Sequence, residues 1–218
     1  MESSQPSPAT SLRLLHLGDT WTYQATGTLT PPRGEAAALA GEITVSIVPD
    51  RLASRSDWWT ILFSQRFEIT QSDGTKDPMP APEWMFSFVQ DQESRDLAIT
   101  ADNMTRYGTP RIAEVPQVFY PGNWSAQTAY NNRLNFDNGD YVENILTVLG
   151  QERVETISGS FMSWKAKISS NSAATGLIEG MDWWTPELGA PAKFSTVSKM
   201  PDGSEMRFVA TLKSSNVR

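Results

Sequence analysis

Cysteine is absent from the 218-residue sequence, and histidine occurs only once. Without cysteine there is no disulfide, no thiolate nucleophile and no cysteine-ligated zinc site. A single histidine excludes a multi-histidine metal centre, and a Ser-His-Asp triad would have to use His16. Because His16 lies in an apolar stretch and no Gly-x-Ser-x-Gly turn occurs, we interpret it as a packed or solvent-tipped side chain. We therefore predict no catalytic residue, no metal site, no cofactor and no enzymatic activity.

Long hydrophobic runs, phosphate-binding glycine motifs and an excess of basic residues are also missing. No apolar stretch approaches the roughly 20 residues that a transmembrane helix needs, and neither of the common nucleotide-binding glycine loops occurs. The 18 basic and 25 acidic residues give a net charge of −7, so phosphate backbones would repel the chain. We expect the partner to be a hydrophobic small molecule, a lipid or a protein, and not a nucleic acid.

The first eleven residues are rich in serine and proline and predict a disordered tether over residues 1–11. A tether of this kind often follows a cleaved export signal or a lipid-anchored cysteine. We therefore expect an extracytoplasmic protein, periplasmic or at the cell surface, whose leader has been removed and whose lipid anchor would lie upstream. The alternative is a cytosolic protein with a disordered N-terminus. Residues 12–218 are expected to form a single β domain.

Apolar and polar residues alternate along most of the chain, which predicts an all-β protein with little helix. The clearest examples are residues 20–29, 41–48 and 58–69. Further strands are predicted at 84–90, 95–100, 125–136, 140–149, 161–169, 192–200 and 205–213. Segment 82–90 also has apolar residues at helical spacing, but its surroundings favour a strand. Asp-Gly or Asn-Gly pairs predict hairpin turns at 72–75, 137–140 and 201–204. The order of these segments indicates an antiparallel meander.

Two stretches of the chain resemble each other. Leu14–Trp21 and Val118–Trp124 each consist of an apolar stretch, a glycine, a short polar step and a tryptophan that enters a strand. This similarity suggests two β-repeats, at 12–112 and 113–218, that form one continuous sheet. The alternative is that a turn followed by glycine, tryptophan and a strand is simply common in β proteins.

Several short motifs resemble those of a broad set of uncharacterised exported bacterial β-rich proteins and lipoproteins. They are the stretch Leu17–Tyr23, the Gly-x-Glu-x-Val pattern at 150–154, the Gly-Ser-Phe strand opening at 159–161 and the Trp-Trp-Thr-Pro-Glu-Leu-Gly segment at 183–189. Proteins of this set are similar in outline to the periplasmic lipoprotein-carrier superfamily. The resemblance implies a curved antiparallel sheet, as a half-barrel or open barrel, and an extracytoplasmic setting. It implies no catalytic residues, since the matching positions are turn glycines and core aromatics.

The eight tryptophans fall into two groups. Trp21, Trp59 and Trp164 lie on the apolar faces of their predicted strands and are expected in the core. Trp58 lies on a polar face, and the adjacent Trp183 and Trp184 would point to opposite sides of an extended chain. An exposed tryptophan can stack on a ligand. The candidate ligand-binding residues are Trp58, Trp84, Trp183 and Trp184.

These patterns lead to three hypotheses about function. The first is a non-catalytic, carrier-like binding protein with an apolar cleft for a lipid or another hydrophobic ligand. The second is a carbohydrate-binding module that uses Trp58 and either Trp183 or Trp184. The third is a carboxylate-based hydrolase, for which the acidic residues near two turns are available, namely Asp137, Asp140, Glu143, Glu152 and Glu155.

Overall fold

The computed structural model describes residues 11–79, 83–104, 108–172 and 176–217, and within these ranges it contains thirteen strands and no helix. The strands are β1 (Thr20–Thr30), β2 (Ala37–Pro49), β3 (Trp59–Thr70), β4 (Lys76–Met79), β5 (Trp84–Gln90), β6 (Leu97–Asp102), β7 (Arg111–Tyr120), β8 (Ala129–Asn135), β9 (Tyr141–Thr156), β10 (Gly159–Ser172), β11 (Gly176–Thr185), β12 (Ala190–Lys199) and β13 (Glu205–Ser215). Of the predicted tether, residues 1–10 lie outside the described residues.

All of these strands belong to one antiparallel sheet with the order β7-β6-β5-β3-β2-β1-β13-β12-β11-β10-β9-β8, and β4 pairs only with β3. The first and second halves of the chain thus form two meanders that join where β1 pairs with β13. The sheet curls until its two edge strands meet, and a bridge between Ala113 and Phe136 connects them. The result is a nearly closed, barrel-shaped sheet, which confirms the predicted all-β class and its curved antiparallel form.

The two meanders bear on the predicted duplication only indirectly. Each half of the chain supplies six strands to the continuous path, but the predicted boundary at residues 112 and 113 lies inside β7. The duplication stays a prediction.

The predicted alternation places the correct side chains inside. Trp21, Tyr23 and Ala25 of β1 are buried, as are the inward residues Ile43 and Ile47 of β2. Segment 84–90 is a strand, as its surroundings indicated. The predicted turns at 72–75, 137–140 and 201–204 each contain a glycine with positive φ and connect paired strands.

Three strands, β4, β7 and β11, were not predicted. β7 escapes the alternation pattern because it contains Pro116, and its pairing with β6 is interrupted by a bulge around residues 113–116. β11 contains two glycines and an inward-facing Asp182, so its apolar face is interrupted. The strand predicted from residue 58 begins at Trp59, and Trp58 precedes it.

Two inward glycines allow the sheet to curve sharply. A Cβ atom on Gly27 would lie 1.9 Å from the carbonyl oxygen of Arg207, and one on Gly41 would lie 2.0 Å from that of Arg66. Each glycine is paired with a phenylalanine on the neighbouring strand, Phe208 for Gly27 and Phe67 for Gly41, and the rings of these two phenylalanines pack together.

We expect Gly27→Ala to lower the free energy of unfolding by about 1–3 kcal/mol, because the added methyl group must displace backbone. Urea denaturation would measure the change. Thr26→Ala, at the exposed neighbouring position, is the control and should cost less than about 1 kcal/mol. Equal effects of the two substitutions would contradict the close approach inferred at Gly27.

Residues 11–19 form a strap across one end of the barrel-shaped sheet. Ser11 forms a bridge with Asn123, the amide of Arg13 donates to the carbonyl of Pro186, and the amide of Leu15 donates to the side chain of Gln90. Leu12 and Leu15 of this strap are each only 2% exposed. The strap therefore covers this end of the interior with apolar side chains.

Candidate ligand cavity

The interior of the sheet contains a cavity of about 260 Å³. Side chains from twelve of the strands line it, and most of them are aliphatic or aromatic. Small-molecule sites in proteins usually measure about 300–1,000 Å³. This cavity is therefore suited to one small apolar ligand.

The side chains that line the cavity differ in burial between its two ends. Near the strap, Trp21, Tyr23 and Phe88 are almost completely buried. At the opposite end, Trp84 and Ile178 also line the cavity but are partly exposed. The strap end, which we call the floor of the cavity, is thus lined by deeply buried side chains, whereas part of the lining at the opposite end reaches solvent.

Polar groups gather near the floor. Asp182 lies on β11, three residues before the end of the strand, and is 8% exposed. The hydroxyl of Tyr120 donates a hydrogen bond to Asp182 Oδ2 over 3.4 Å, and the hydroxyl of Tyr23 donates to the carbonyl of Pro191 over 3.0 Å. Throughout the ranges that the structure describes, Asp182 makes no ion pair. A carboxyl group thus lies in largely apolar surroundings with one long hydrogen bond from a neutral donor.

Burial decides the ionisation of this group. It raises the pKa of Asp182 from its ordinary value of 3.8 to about 7, and the hydrogen bond from Tyr120 opposes that rise. Burial, together with the nearby Asp182 charge, raises the pKa of both Tyr120 and Tyr23 far above the ordinary tyrosine value. Near neutral pH, Asp182 can therefore exchange its proton while both tyrosines remain neutral donors.

Trp184 completes the floor on the same face of β11 as Asp182. Its ring centroid lies 4.5 Å from that of Tyr120, and it stacks on Trp124 at 5.9 Å. The indole N–H of Trp184 is buried, and no described residue accepts a hydrogen bond from it. A buried donor without an acceptor costs about 1–3 kcal/mol, so the floor has a hydrogen-bonding capacity that no described residue uses.

A second polar group borders the cavity at the other end, but its partners are internal. Arg111 of β7 makes two 2.8 Å hydrogen bonds to the carboxylate of Asp102 on β6, and both side chains are buried. The guanidinium also lies over the ring of Phe136 at 4.1 Å and contacts Asp140 at 3.4 Å. Arg111 therefore links β6 and β7 to the β8–β9 hairpin, where the two edges of the sheet meet.

The structure divides the four predicted ligand-binding tryptophans between two surfaces. Trp84 and Trp184 line the cavity. Trp183 lies on the outer face, where its indole donates to Glu152 and its ring contacts Lys165 and Lys193. The neighbouring Trp183 and Trp184 thus point to opposite sides, as predicted.

Trp58 also lies outside the cavity, with the guanidinium of Arg55 at 4.9 Å from its ring. Trp58 is therefore not brought together with the cavity residues. A ligand-binding role for each of the four tryptophans stays a prediction.

The acidic residues that a hydrolase could use are each engaged by a local partner. Asp137 accepts from the amide of Ile112, Asp140 contacts Arg111, and Glu143 pairs with Arg133. The hydrogen bond from Trp183, together with Lys165, lowers the pKa of Glu152, while Glu155 accepts a hydrogen bond from Ser160. His16 has an exposed side chain beside Arg13 and Asp19.

Of the floor residues, only Trp184 was named as a candidate from the sequence. Asp182 belongs to a strand that was not predicted, and Tyr23 and Tyr120 are distant from it in the chain. One local signal was available: Asp182 stands two residues before Trp184, so in any extended conformation an acid and an indole share one face. The tyrosines could be added only once the strand order was known.

The fold and the cavity define an all-β protein with an apolar interior site. Two solved structures are similar to this chain. A protein of Bacteroides fragilis, provisionally described as exported and with a YMCC-like fold, is 11% identical; the similarity covers 95% of this chain and 100% of that one, with a TM-score of 0.40. A Parabacteroides distasonis protein, provisionally described as a lipoprotein, is also 11% identical, with 96% and 100% covered and a TM-score of 0.40.

No protein-family model matches the chain. No curated protein matches it in sequence. Within the described ranges there is no helix long and apolar enough to cross a membrane.

Proposed function

We propose that this is a non-catalytic, extracytoplasmic binding protein that holds a small hydrophobic ligand inside its barrel-shaped sheet. The observation that carries the proposal is the cavity of about 260 Å³ with its apolar walls. Protein interiors are normally close-packed, and a cavity costs stability in proportion to its volume. A cavity retained in the middle of a continuous core therefore supports a role in ligand binding.

Separate features support the proposed extracytoplasmic location and the proposed non-catalytic role. The serine- and proline-rich start of the chain and the motifs shared with exported proteins favour a location outside the cytoplasm. Of the charged groups around the cavity, Asp102 is ion-paired with Arg111, and Asp182 accepts a hydrogen bond from Tyr120. This pairing suits recognition of a bound molecule rather than attack on it.

The proposal is tested by narrowing the cavity. Ser170 of β10 lines the cavity, and its neighbour Ser169 pairs with Glu179 and the exposed Ile145 on the outer face. We expect 1-octanol to bind the wild-type protein in calorimetric titrations. Ser170→Phe should weaken that binding by about tenfold or more, a loss of about 1.4 kcal/mol, because the ring occupies the ligand's space.

Ser169→Phe adds the same ring to the outside and should leave octanol binding unchanged. Native mass spectrometry of the purified protein should in addition show a co-purified small apolar molecule that Ser170→Phe reduces. Equal octanol affinity in the wild-type protein and both variants would place binding elsewhere, and no measurable binding would remove the proposal.

A further inference from the structure

Among the residues that the structure describes, no charged group on the elements packed around Asp182 neutralises its carboxyl group. Its register neighbours are Ala166 on β10 and Phe194 on β12, and the titratable groups that face it are the hydroxyls of Tyr120 and Tyr23. The inward-facing Arg111 is bound to Asp102.

The nearest lysines on the flanking strands do not compensate this charge. Lys165 of β10 and Lys193 of β12 lie on the outer face, where both contact Trp183. A buried charge without a partner costs several kcal/mol, so a ligand that brings the opposite charge would gain strongly from this position.

From these contacts we propose that the ligand is an apolar amine whose protonated nitrogen pairs with Asp182 at the cavity floor. This inference rests on the proposed function and names the chemistry of its head group. The nitrogen would lie beside the tyrosine rings of the floor, and aromatic rings attract ammonium groups. The tail would extend along the apolar walls toward the opposite end, past Trp84 and Ile178.

The unpartnered N–H of Trp184 indicates that the ligand's head group also carries a hydrogen-bond acceptor. The Trp184 N–H needs an acceptor, and an ammonium group offers none. Because Trp184 and Asp182 are two residues apart on one face of β11, an oxygen next to the nitrogen, as in an amino alcohol, would satisfy both groups at once.

Because the proposed contact is a charge pair, the affinity of the protein for the amine should rise with pH. The amine stays protonated throughout the range used, since aliphatic amines titrate near pH 10. Asp182 must be ionised to bind it, and its pKa in the free protein is about 7. Affinity should therefore rise with pH and level off above about pH 7. Between about pH 8 and pH 5 it should fall on the order of 100-fold.

The experiment is a calorimetric comparison of octylamine, 1-octanol and octanoate, which share one chain length and differ in head group. We expect octylamine to bind at least about tenfold more tightly than octanol at about pH 8. Asp182→Asn should abolish that preference and its pH dependence while octanol still binds. Because the acidic protein attracts any amine, Glu179→Gln serves as the control: it removes an outer-face carboxylate of the same strand and should keep the preference.

The acceptor is tested with 2-amino-1-octanol. It should bind several-fold more tightly than octylamine, and Trp184→Phe should remove that gain. A gain that survives in Trp184→Phe overturns the assignment of the oxygen.

The remaining outcomes separate this inference from the proposed function. Octanol or octanoate binding as tightly as octylamine overturns the amine and leaves the cavity as a binding site. A preference for octylamine that persists in Asp182→Asn equally overturns the pairing. Failure of all the probes to bind overturns both proposals.

Discussion

Replacement of Arg111 by methionine should lower the free energy of unfolding by about 3–5 kcal/mol, measured by urea denaturation at neutral pH. The reason is the buried Asp102 carboxylate, which loses two 2.8 Å hydrogen bonds and its counter-charge at once. The substitution also removes the guanidinium from the ring of Phe136 and from Asp140. Because these contacts join β7 to the β8–β9 hairpin, the loss falls where the sheet closes.

A second substitution separates the lost charge pair from lost packing. Adding Asp102→Leu to Arg111→Met replaces the whole pair with apolar side chains, and such replacements are often neutral or stabilising. The double variant should therefore recover most of the loss. Similar destabilisation in the single and double variants would show that packing, not the unpaired carboxylate, explains the effect.

The matched control is Arg133→Met, which breaks a nearby ion pair on the outside of the same hairpin. Arg133 and Glu143 are 54% and 47% exposed, so water already screens their interaction. Removing Arg133 should cost less than about 1 kcal/mol. Equal costs at Arg111 and Arg133 would contradict the importance of burial at the closure of the sheet.

The alternation of residues was sufficient to predict the sheet because most strands have one face inside and one outside. In β1 and β2 the period of two is uninterrupted, and the predicted inward residues are the buried ones. β7 and β11 were missed because in each of them the alternation of apolar and polar residues is interrupted. Pro116 and the bulge change the register in β7, and the inward Asp182 breaks the apolar face of β11.

The site was predicted less well than the fold, because it is made by strand order rather than by local pattern. Tyr23, Tyr120 and Asp182 come from β1, β7 and β11, and their meeting depends on how far the sheet curls. The alternation pattern named four tryptophans as candidates, of which Trp84 and Trp184 line the cavity while Trp58 and Trp183 lie outside it. Whether a side chain faces the interior or the solvent can be predicted from sequence, whereas the residues that it contacts across the curled sheet cannot.

Asp182 and Trp184 also explain why the floor differs from the rest of the core. A protein selected for stability alone would place apolar residues here, as it does at the neighbouring Ala166 and Ala192. Retaining an acid and an unused indole donor in this position fits the pattern in which binding sites are kept at the expense of stability.

Asp182→Asn should make the protein more stable than the wild type at about pH 8, by up to about 4 kcal/mol, and leave it nearly unchanged at about pH 4. Burial raises the pKa of Asp182 from 3.8 to about 7 in the folded protein. The folded state therefore binds the proton more tightly than the unfolded state, so this group's contribution is complete below about pH 4. It declines as pH rises and is lost above about pH 7. Asparagine carries no charge at any of these pH values and avoids that loss.

Urea denaturation of both proteins across this pH range would measure the difference, in which the titration of all other groups largely cancels. Glu179→Gln is the matched control, because its carboxylate is exposed, lies 4.0 Å from Lys167 and is screened by water, so its removal should change stability only slightly. A wild type that equals or exceeds Asp182→Asn in stability at about pH 8 would show that the carboxylate is well accommodated without a ligand. That result would remove the physical reason for a cationic head group, whereas a gain confined to high pH would show that the protein keeps a charge at this floor that it does not itself neutralise.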